Sequence, residues 1–239
     1  MQAVVLAGGL GTRIRSLTGD NPKALLLVGG RPIVEWVLRW LEREGCDPVV
    51  LCLGHRAAAV QEFVRSLSSG LRFRFSVEPE PLGTAGAVKW ALPMLDDQFL
   101  VVNGDTLFDT RIAPLVQIHQ QRRVEVTMAL TEVLDRSRFG SVEIDAECNV
   151  RRFGEKRPEG GRGLINSGVY LMSKRVIESH AAAGPSSLEC DVFPQLLERG
   201  IPFLGIPCPG RFFDVGTPEG YEEANRALSS LAGERVEGS

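Results

Sequence analysis

Short apolar runs alternate with amphipathic stretches through the first half of the chain, and that alternation sets the expected architecture. Residues 2–6 are apolar after Gln2 and read as a buried strand. Pro32 stands where a helix start favours it, and Ile33, Val34, Trp36, Val37, Trp40 and Leu41 fall on one face behind it. The acidic pair Glu42 and Glu44 marks a polar last turn, and Gly45 ends it. Residues 48–53 read as the next strand, 57–67 as a helix and 71–77 as an alternating strand. A loop over 78–83 leads to Thr84, a candidate cap for a helix over 85–92. Residues 98–102 form a short buried strand. Strands thus alternate with helices as far as residue 120, which predicts a mainly parallel sheet covered on both faces.

The second half changes character. Strands are expected over 125–130, 140–144, 149–153, 164–172 and 203–206, with helices over 173–180 and 188–198. A last helix, 218–231, has Thr217 as cap and Pro218 in its first turn. No internal repeat or linker divides the chain, so one catalytic-sized unit over 1–231 with a frayed tail over 232–239 is expected.

Composition narrows the class. The 239 residues are 44% hydrophobic and 24% charged, as in a soluble α/β protein large enough to need no disulfide staples. The five cysteines are scattered without a C-x-x-C pair, so neither a zinc site nor a disulfide framework is suggested. Reduced thiols and a cytoplasmic setting follow most simply. No signal peptide is expected, because Met1 leads directly into a core strand. No apolar run approaches the roughly 18 residues of a membrane span. The net charge of −3 argues against a nucleic-acid binder, so an anionic ligand must be held by local positive charge in a cleft. The three histidines show no metal spacing and read as surface or loop residues.

Local positive charge is found just after the first strand. Ala7-Gly8-Gly9-Leu10-Gly11-Thr12-Arg13 is followed by Asp20-Asn21-Pro22-Lys23. Glycines allow sharp turns and close backbone approach, and Arg13 and Lys23 add cations, a combination suited to a polyphosphate. A Walker A loop is absent, and Ile14 occupies the third glycine position of a dinucleotide fingerprint. On glycines alone, a plain tight turn is an equal reading. Asp105 follows a buried strand at its C-terminal end, where open α/β sheets bind ligands, and a hard oxygen there suits Mg²⁺. A turn aspartate in Asn103-Gly104-Asp105 is the plain alternative. Asp214, ahead of the last helix, is either a charge placed for the helix dipole or a second carboxylate for the same cation. Lys156 beside Glu155 is either a surface pair or a phosphate grip. Asn166 and Gly168 interrupt an apolar strand, marking a bulge or the approach of a ligand.

Taken together, Leu6-Ala7-Gly8-Gly9-Leu10-Gly11-Thr12-Arg13, Pro22-Lys23, Pro81-Leu82-Gly83-Thr84-Ala85-Gly86, Asn103-Gly104-Asp105, Phe153-Gly154-Glu155-Lys156, Ile165-Asn166-Ser167-Gly168 and Asp214-Val215-Gly216-Thr217-Pro218 resemble the sugar-1-phosphate nucleotidyltransferase family. Within it, the overall pattern is most similar to guanylyltransferases acting on D-glycero-D-manno-heptose 1-phosphate, with mannose-1-phosphate guanylyltransferases as near neighbours and a uridylyl- or thymidylyltransferase of another sugar 1-phosphate as the alternative. The resemblance implies a single-domain, Rossmann-like three-layer α/β sandwich with a mixed, mainly parallel sheet. It implies that Leu6, Ala7, Gly8, Gly9, Gly11 and Thr12 hold the nucleotide with Glu78, Gly83 and Thr84. Arg13, Lys23 and Lys156 would serve the chemistry, and Asp105 and Asp214 would bind Mg²⁺. Asn103, Gly140, Glu155, Lys156 and Asn166 would face the sugar phosphate. The implied partners are an NTP and a sugar 1-phosphate, with no nucleic acid and no membrane; a homo-oligomer is allowed, and its size is not fixed by the sequence.

The base has a physical argument of its own. An ionised Glu78 only accepts hydrogen bonds, and guanine offers adjacent N1–H and N2–H₂ donors, whereas uracil and thymine flank one N–H with two carbonyls. The plain alternative is that Glu78 and Glu80 merely flank prolines on a solvated loop. Two other classes share related features: a non-catalytic sugar-nucleotide-binding subunit and a glycosyltransferase. The first would usually lack one of Arg13, Lys23, Asp105, Lys156 or Asp214. The second typically carries an Asp-x-Asp motif, which Asp105-Thr106-Leu107 does not supply.

Overall fold

The computed structural model describes residues 1–9, 11–154 and 160–233. Strand β1 (Ala3–Leu6) lies inside the sheet. Ala3 and Val5 pack into the cluster on one face and Val4 into the cluster on the other, all without solvent exposure. Burial on both faces is why this strand reads as an unbroken apolar run. After a short turn, α1 (Arg15–Thr18), a small hairpin of β2 (Leu27–Val28) and β3 (Arg31–Pro32) leads into α2 (Ile33–Arg43). Pro32 is extended and sits one residue ahead of the helix. At the far end Gly45 is left-handed (φ 71°), and the N–H groups of Gly45 and Cys46 donate to the Glu42 and Leu41 carbonyls. That paired arrangement closes the helix as Gly45 predicts.

Strand β4 (Val49–Leu53), α3 (Ala57–Ser66), β5 (Phe73–Val77), α4 (Gly83–Ala91) and β6 (Gln98–Asn103) follow. The strands lie in the order β6-β1-β4-β5, all parallel. Residues of α2 and α3 bury against one face, and residues of α4 against the other. Parallel strands present their C-terminal ends along one edge, so residues just after β1, β4, β5 and β6 gather there.

The remaining strands are β7 (Thr106–Asp109), β8 (Val126–Val133), β9 (Ser141–Ile144), β10 (Val150–Gly154), β11 (Gly163–Ser173), β12 (Phe203–Pro207) and β13 (Arg211–Asp214). Helices α5 (Ala113–Arg122), α6 (Lys174–His180), α7 (Phe193–Glu198) and α8 (Pro218–Gly233) lie between and after them. β11 runs antiparallel to β6, β8 and β9, and β12 runs parallel to β8, which makes the central sheet mixed. β7 and β13 form a separate antiparallel pair with Asp214 opposite Thr106.

Several expectations need correction. Thr84 does not cap α4, which begins at Gly83; instead the first-turn N–H groups of Ala85 and Gly86, which lack a partner within the helix, donate to the Ser186 carbonyl. A distant carbonyl thus satisfies the helix end and frees the threonine hydroxyl. The expected 188–198 helix begins as a π-helical turn, Leu188–Val192, before α7. His119 is not a surface residue: it is fully buried on α5, and its Nδ1 lies 2.9 Å from Thr127 Oγ1. Burial holds its imidazole pKa below the ordinary range. Helix α8 continues through Gly233, and the rest of the expected tail lies outside the described residues.

Candidate active site

Four groups from three distant segments converge beyond the C-terminal end of β6. Lys23 Nζ donates to Asp105 Oδ2 at 2.6 Å, with the two side chains 12% and 31% exposed. The Val215 N–H donates to the Asp105 carbonyl at 2.9 Å, tying the end of β13 to the end of β6. Asp214 Oδ1 accepts from the Gly216 N–H at 2.8 Å. A Cβ built at Gly216 would lie 2.7 Å from Asp214 Oδ1, 3.2 Å from Lys23 Nζ and 3.4 Å from Asp105 Oδ2. The missing side chain leaves a space bordered by two carboxylates and one ammonium. Two hard oxygen donors meeting at such a space fit a cation such as Mg²⁺. The pairing of β7 with β13 brings the second aspartate within reach of the first.

The glycine loop adjoins this space. Gly11 takes a left-handed conformation (φ 61°), and a Cβ there would press 3.2 Å from the Lys23 Cβ. Among the three glycines, Gly11 alone needs positive φ; Gly9 has open space around it. Among the described residues, the Gly8 and Gly9 N–H groups have no protein acceptor. Arg13 is exposed beside them. Leu10 and the Thr12 side chain lie outside the described residues.

Glu78 follows β5 directly, and its N–H donates to the Leu53 carbonyl. Its Oε1 would lie 2.8 Å from a Cβ at Gly8 and 2.7 Å from one at Gly54. The carboxylate therefore rests on two residues without side chains, one after β1 and one after β4. Desolvation holds its pKa above the ordinary glutamate range, against a weaker opposing pull from the Leu82 N–H. Sequence reasoning missed Gly54. Its signal was available: a glycine directly after a fully buried parallel strand.

Across from these groups stands β11. Val169 pairs with Val102, so Gly168 and Asn166 come to the same edge as Asn103. Gly168 has φ 75°, and a Cβ there would lie 2.9 Å from Thr106 Oγ1 and 3.0 Å from the Asn103 side chain. The register against β8 also shifts between Asn166 and Tyr170, so a bulge and a close approach coincide. Ser141 pairs with Ile165, which sets Gly140 beside the same stretch of β11. Glu155 and Lys156 lie outside the described residues. Gly83 (φ 71°) packs against the Ser186 backbone, and the Thr84 hydroxyl is held by Glu189 rather than left free.

A cavity of about 710 Å³ lies elsewhere, between α2 and the β7–β13 pair. Arg31, Arg39 and Arg43 line it, but Glu35 and Asp109 pair with them at 2.5–2.8 Å. Arg211 lines it as well, so three of its four arginines are matched by a carboxylate, which makes it a poorer anion site than the glycine loop.

A family model described as "Nucleotidyl transferase" matches residues 2–230. The chain belongs to the nucleotidyl transferase family. It is 32% identical over 221 residues to the D-glycero-alpha-D-manno-heptose 1-phosphate guanylyltransferase of Campylobacter jejuni, covering 92% of this chain and 97% of that one. The mannose-1-phosphate guanylyltransferase of Mycobacterium tuberculosis is 34% identical, over 95% of this chain and 64% of its own length. The crystal structure of HddC from Yersinia pseudotuberculosis superposes with a TM-score of 0.85 at 32% identity, covering 95% of this chain and 99% of that one. HddC has also been solved complexed with GMP-PN, and that form superposes with a TM-score of 0.84. In this nucleotidyl transferase, the glycine loop and the Lys23–Asp105–Asp214 cluster thus have a family context. No helix among the described residues is long and apolar enough to cross a membrane.

Proposed function

We propose that this nucleotidyl transferase joins GTP and D-glycero-D-manno-heptose 1-phosphate to give the GDP-sugar and pyrophosphate. One observation carries the reaction type: Lys23, Asp105 and Asp214 converge beside a glycine loop with free amides. The guanine and heptose assignments draw on the relatives matched over nearly their whole length. Glu78, an acceptor poised beside Gly8 and Gly54, suits the donor edge of guanine.

The sugar phosphate oxygen attacks the α-phosphorus of the nucleotide. One P–O bond forms as the bond to the pyrophosphate oxygen breaks, in line with it. The nucleophile is already ionised at neutral pH, so no general base is required. The protein's part is positioning and charge neutralisation. The Gly8 and Gly9 amides and Arg13 face the triphosphate, and Lys23 adds charge beside it. Asp105 and Asp214 would hold Mg²⁺, which when bound offsets negative charge on the phosphates. Asn103, Gly140 and Asn166 would line the sugar side, with Glu155 and Lys156 contacting the sugar and its phosphate.

A pyrophosphate-release assay crossing four NTPs with a panel of sugar 1-phosphates tests this reading. Highest kcat/KM is expected for GTP with the manno-heptose 1-phosphate. Preference for mannose 1-phosphate would move the enzyme to the second group of relatives, and preference for a pyrimidine nucleotide would remove the guanine assignment.

A further inference from the structure

Glu189 lies in the π-helical turn and takes no part in the chemistry described above, yet it joins both sides of the cleft. Its Oε2 accepts from Thr84 Oγ1 at 2.8 Å and from Ser187 Oγ at 3.0 Å. Its Oε1 accepts from the Tyr170 hydroxyl at 3.1 Å. Tyr170 OH in turn accepts from Asn166 Nδ2 at 2.8 Å, and Asn166 Oδ1 accepts from the Gly168 N–H at 2.8 Å. π-turns often occur at functional sites, where the extra residue re-aims a side chain.

The direction of every bond in this chain is fixed at both ends, by the Glu189 carboxylate, which accepts from Tyr170, and by the Gly168 N–H, which can only donate to Asn166. An ionised carboxylate can only accept. Tyr170 must therefore spend its one proton on Glu189, which leaves its oxygen to accept from Asn166. Asn166 must then turn its NH₂ toward Tyr170 and its carbonyl toward Gly168. The amide is left with one N–H and one carbonyl lone pair in fixed places. Tyr170 is fully buried against Phe193, and burial raises its phenol pKa well above the ordinary value, so it remains a donor. On the other oxygen, Thr84 and Ser187 must also donate. Their hydroxyl oxygens are then free to accept from the N–H groups of Leu188 and of Glu189 and Cys190 respectively.

We propose that Glu189 is a positioning residue that anchors the Tyr170–Asn166 relay, opposite the Gly168 N–H, and so holds in place the atoms Asn166 offers to the sugar. The inference rests on the proposed sugar-facing role of Asn166. A glutamine at 189 has one acceptor oxygen in place of two, so it cannot accept from Tyr170 on one side and from Thr84 and Ser187 on the other, and the anchor of Tyr170 is loosened. A phenylalanine at 170 removes the relay and keeps the ring.

The test is a double-mutant cycle of Glu189→Gln and Tyr170→Phe, read by steady-state kinetics and by hydrogen exchange of the Asn166 side-chain amide in ¹⁵N NMR. Each single variant is expected to raise the KM for sugar 1-phosphate about 10-fold, with the GTP KM changed less than about twofold. The double variant should match either single one, because both break the same relay. Asn166 amide exchange should accelerate about 10-fold in both. Additive KM effects, or an unchanged sugar KM and unchanged exchange in folded variants, would overturn the relay. Faster exchange with an unchanged sugar KM would keep the hydrogen-bond chain but overturn the proposal that it serves sugar recognition. If no sugar 1-phosphate turns over in the wild type, the proposed function fails instead, and the exchange measurement still reports on the relay.

Discussion

Lys23 Nζ lies 2.6 Å from Asp105 Oδ2, although 82 positions separate the two residues in the chain. The ammonium neutralises a carboxylate that is two-thirds buried, and it does so at the rim of the glycine loop. Removing either charge leaves the other poorly solvated. Because Asp105 also accepts the Val215 N–H through its main chain, its backbone role survives a change of side chain.

Asp105→Asn is therefore expected to keep the fold, with a lower melting temperature from the unpaired Lys23, and to lose at least about 10²-fold in turnover. Circular dichroism checks the first point and pyrophosphate release the second. Near-normal Mg²⁺-dependent turnover would remove Asp105 from the phosphate and metal site.

Glu78 makes stability and nucleotide preference depend on pH in a predictable way. Burial raises its folded pKa above the unfolded value, so the protonated form is favoured by folding. Its contribution is fully present below the unfolded pKa, about 4.3, and is lost as pH rises through the folded value. Glu78→Gln should accordingly raise the denaturant midpoint at pH 7 and leave it nearly unchanged at pH 4. The same variant should weaken the preference for GTP. Equal preference before and after would separate the carboxylate from base recognition.

Two glycines offer a contrast between packing and ligand approach. At Gly104 a Cβ would stand 2.6 Å from the Leu6 carbonyl oxygen and 3.3 Å from the Ala7 Cα, where nothing can yield cheaply. Gly104→Ala should cost about 1–3 kcal/mol in stability. At Gly9 a Cβ would meet nothing within 4 Å. Gly9→Ala should melt like the wild type yet raise the KM for nucleotide, because the space it fills is where a phosphate would come. Thermal melts and nucleotide kinetics on both variants decide the matter; an unaltered nucleotide KM in Gly9→Ala would move the phosphate away from that glycine.

Burial pushes the Cys52 thiol up to about 12 and the Cys46 thiol up to about 11, whereas Cys190 is exposed. Alkylation by iodoacetamide at pH 8 should modify Cys190 in the native protein and reach Cys46 and Cys52 only after denaturation. Peptide mass mapping at short times is the check. Early labelling of Cys52 would mean that β4 opens far more readily than its burial suggests.

Taken alone, the sequence determined those features whose physical cause is local. Unbroken apolar runs marked β1, β4 and β6 because both sides of each are covered, and Gly45 marked the end of α2 because a left-handed residue closes it. The ordered motifs carried the family, and with it the residues later found near one edge. What only the tertiary structure decided is long-range. β7 and β13 are four residues each, too short for periodicity to reveal, and their pairing is what brings Asp214 toward Asp105. Thr84 looked like a helix cap until Ser186, about a hundred residues away, satisfied the helix amides and released its hydroxyl to Glu189. Glu189 itself reads as one more polar residue at the start of a helix. Its role arises only where β11, α4 and the π-turn meet, because hydrogen-bond direction passes through space between segments that share no local pattern.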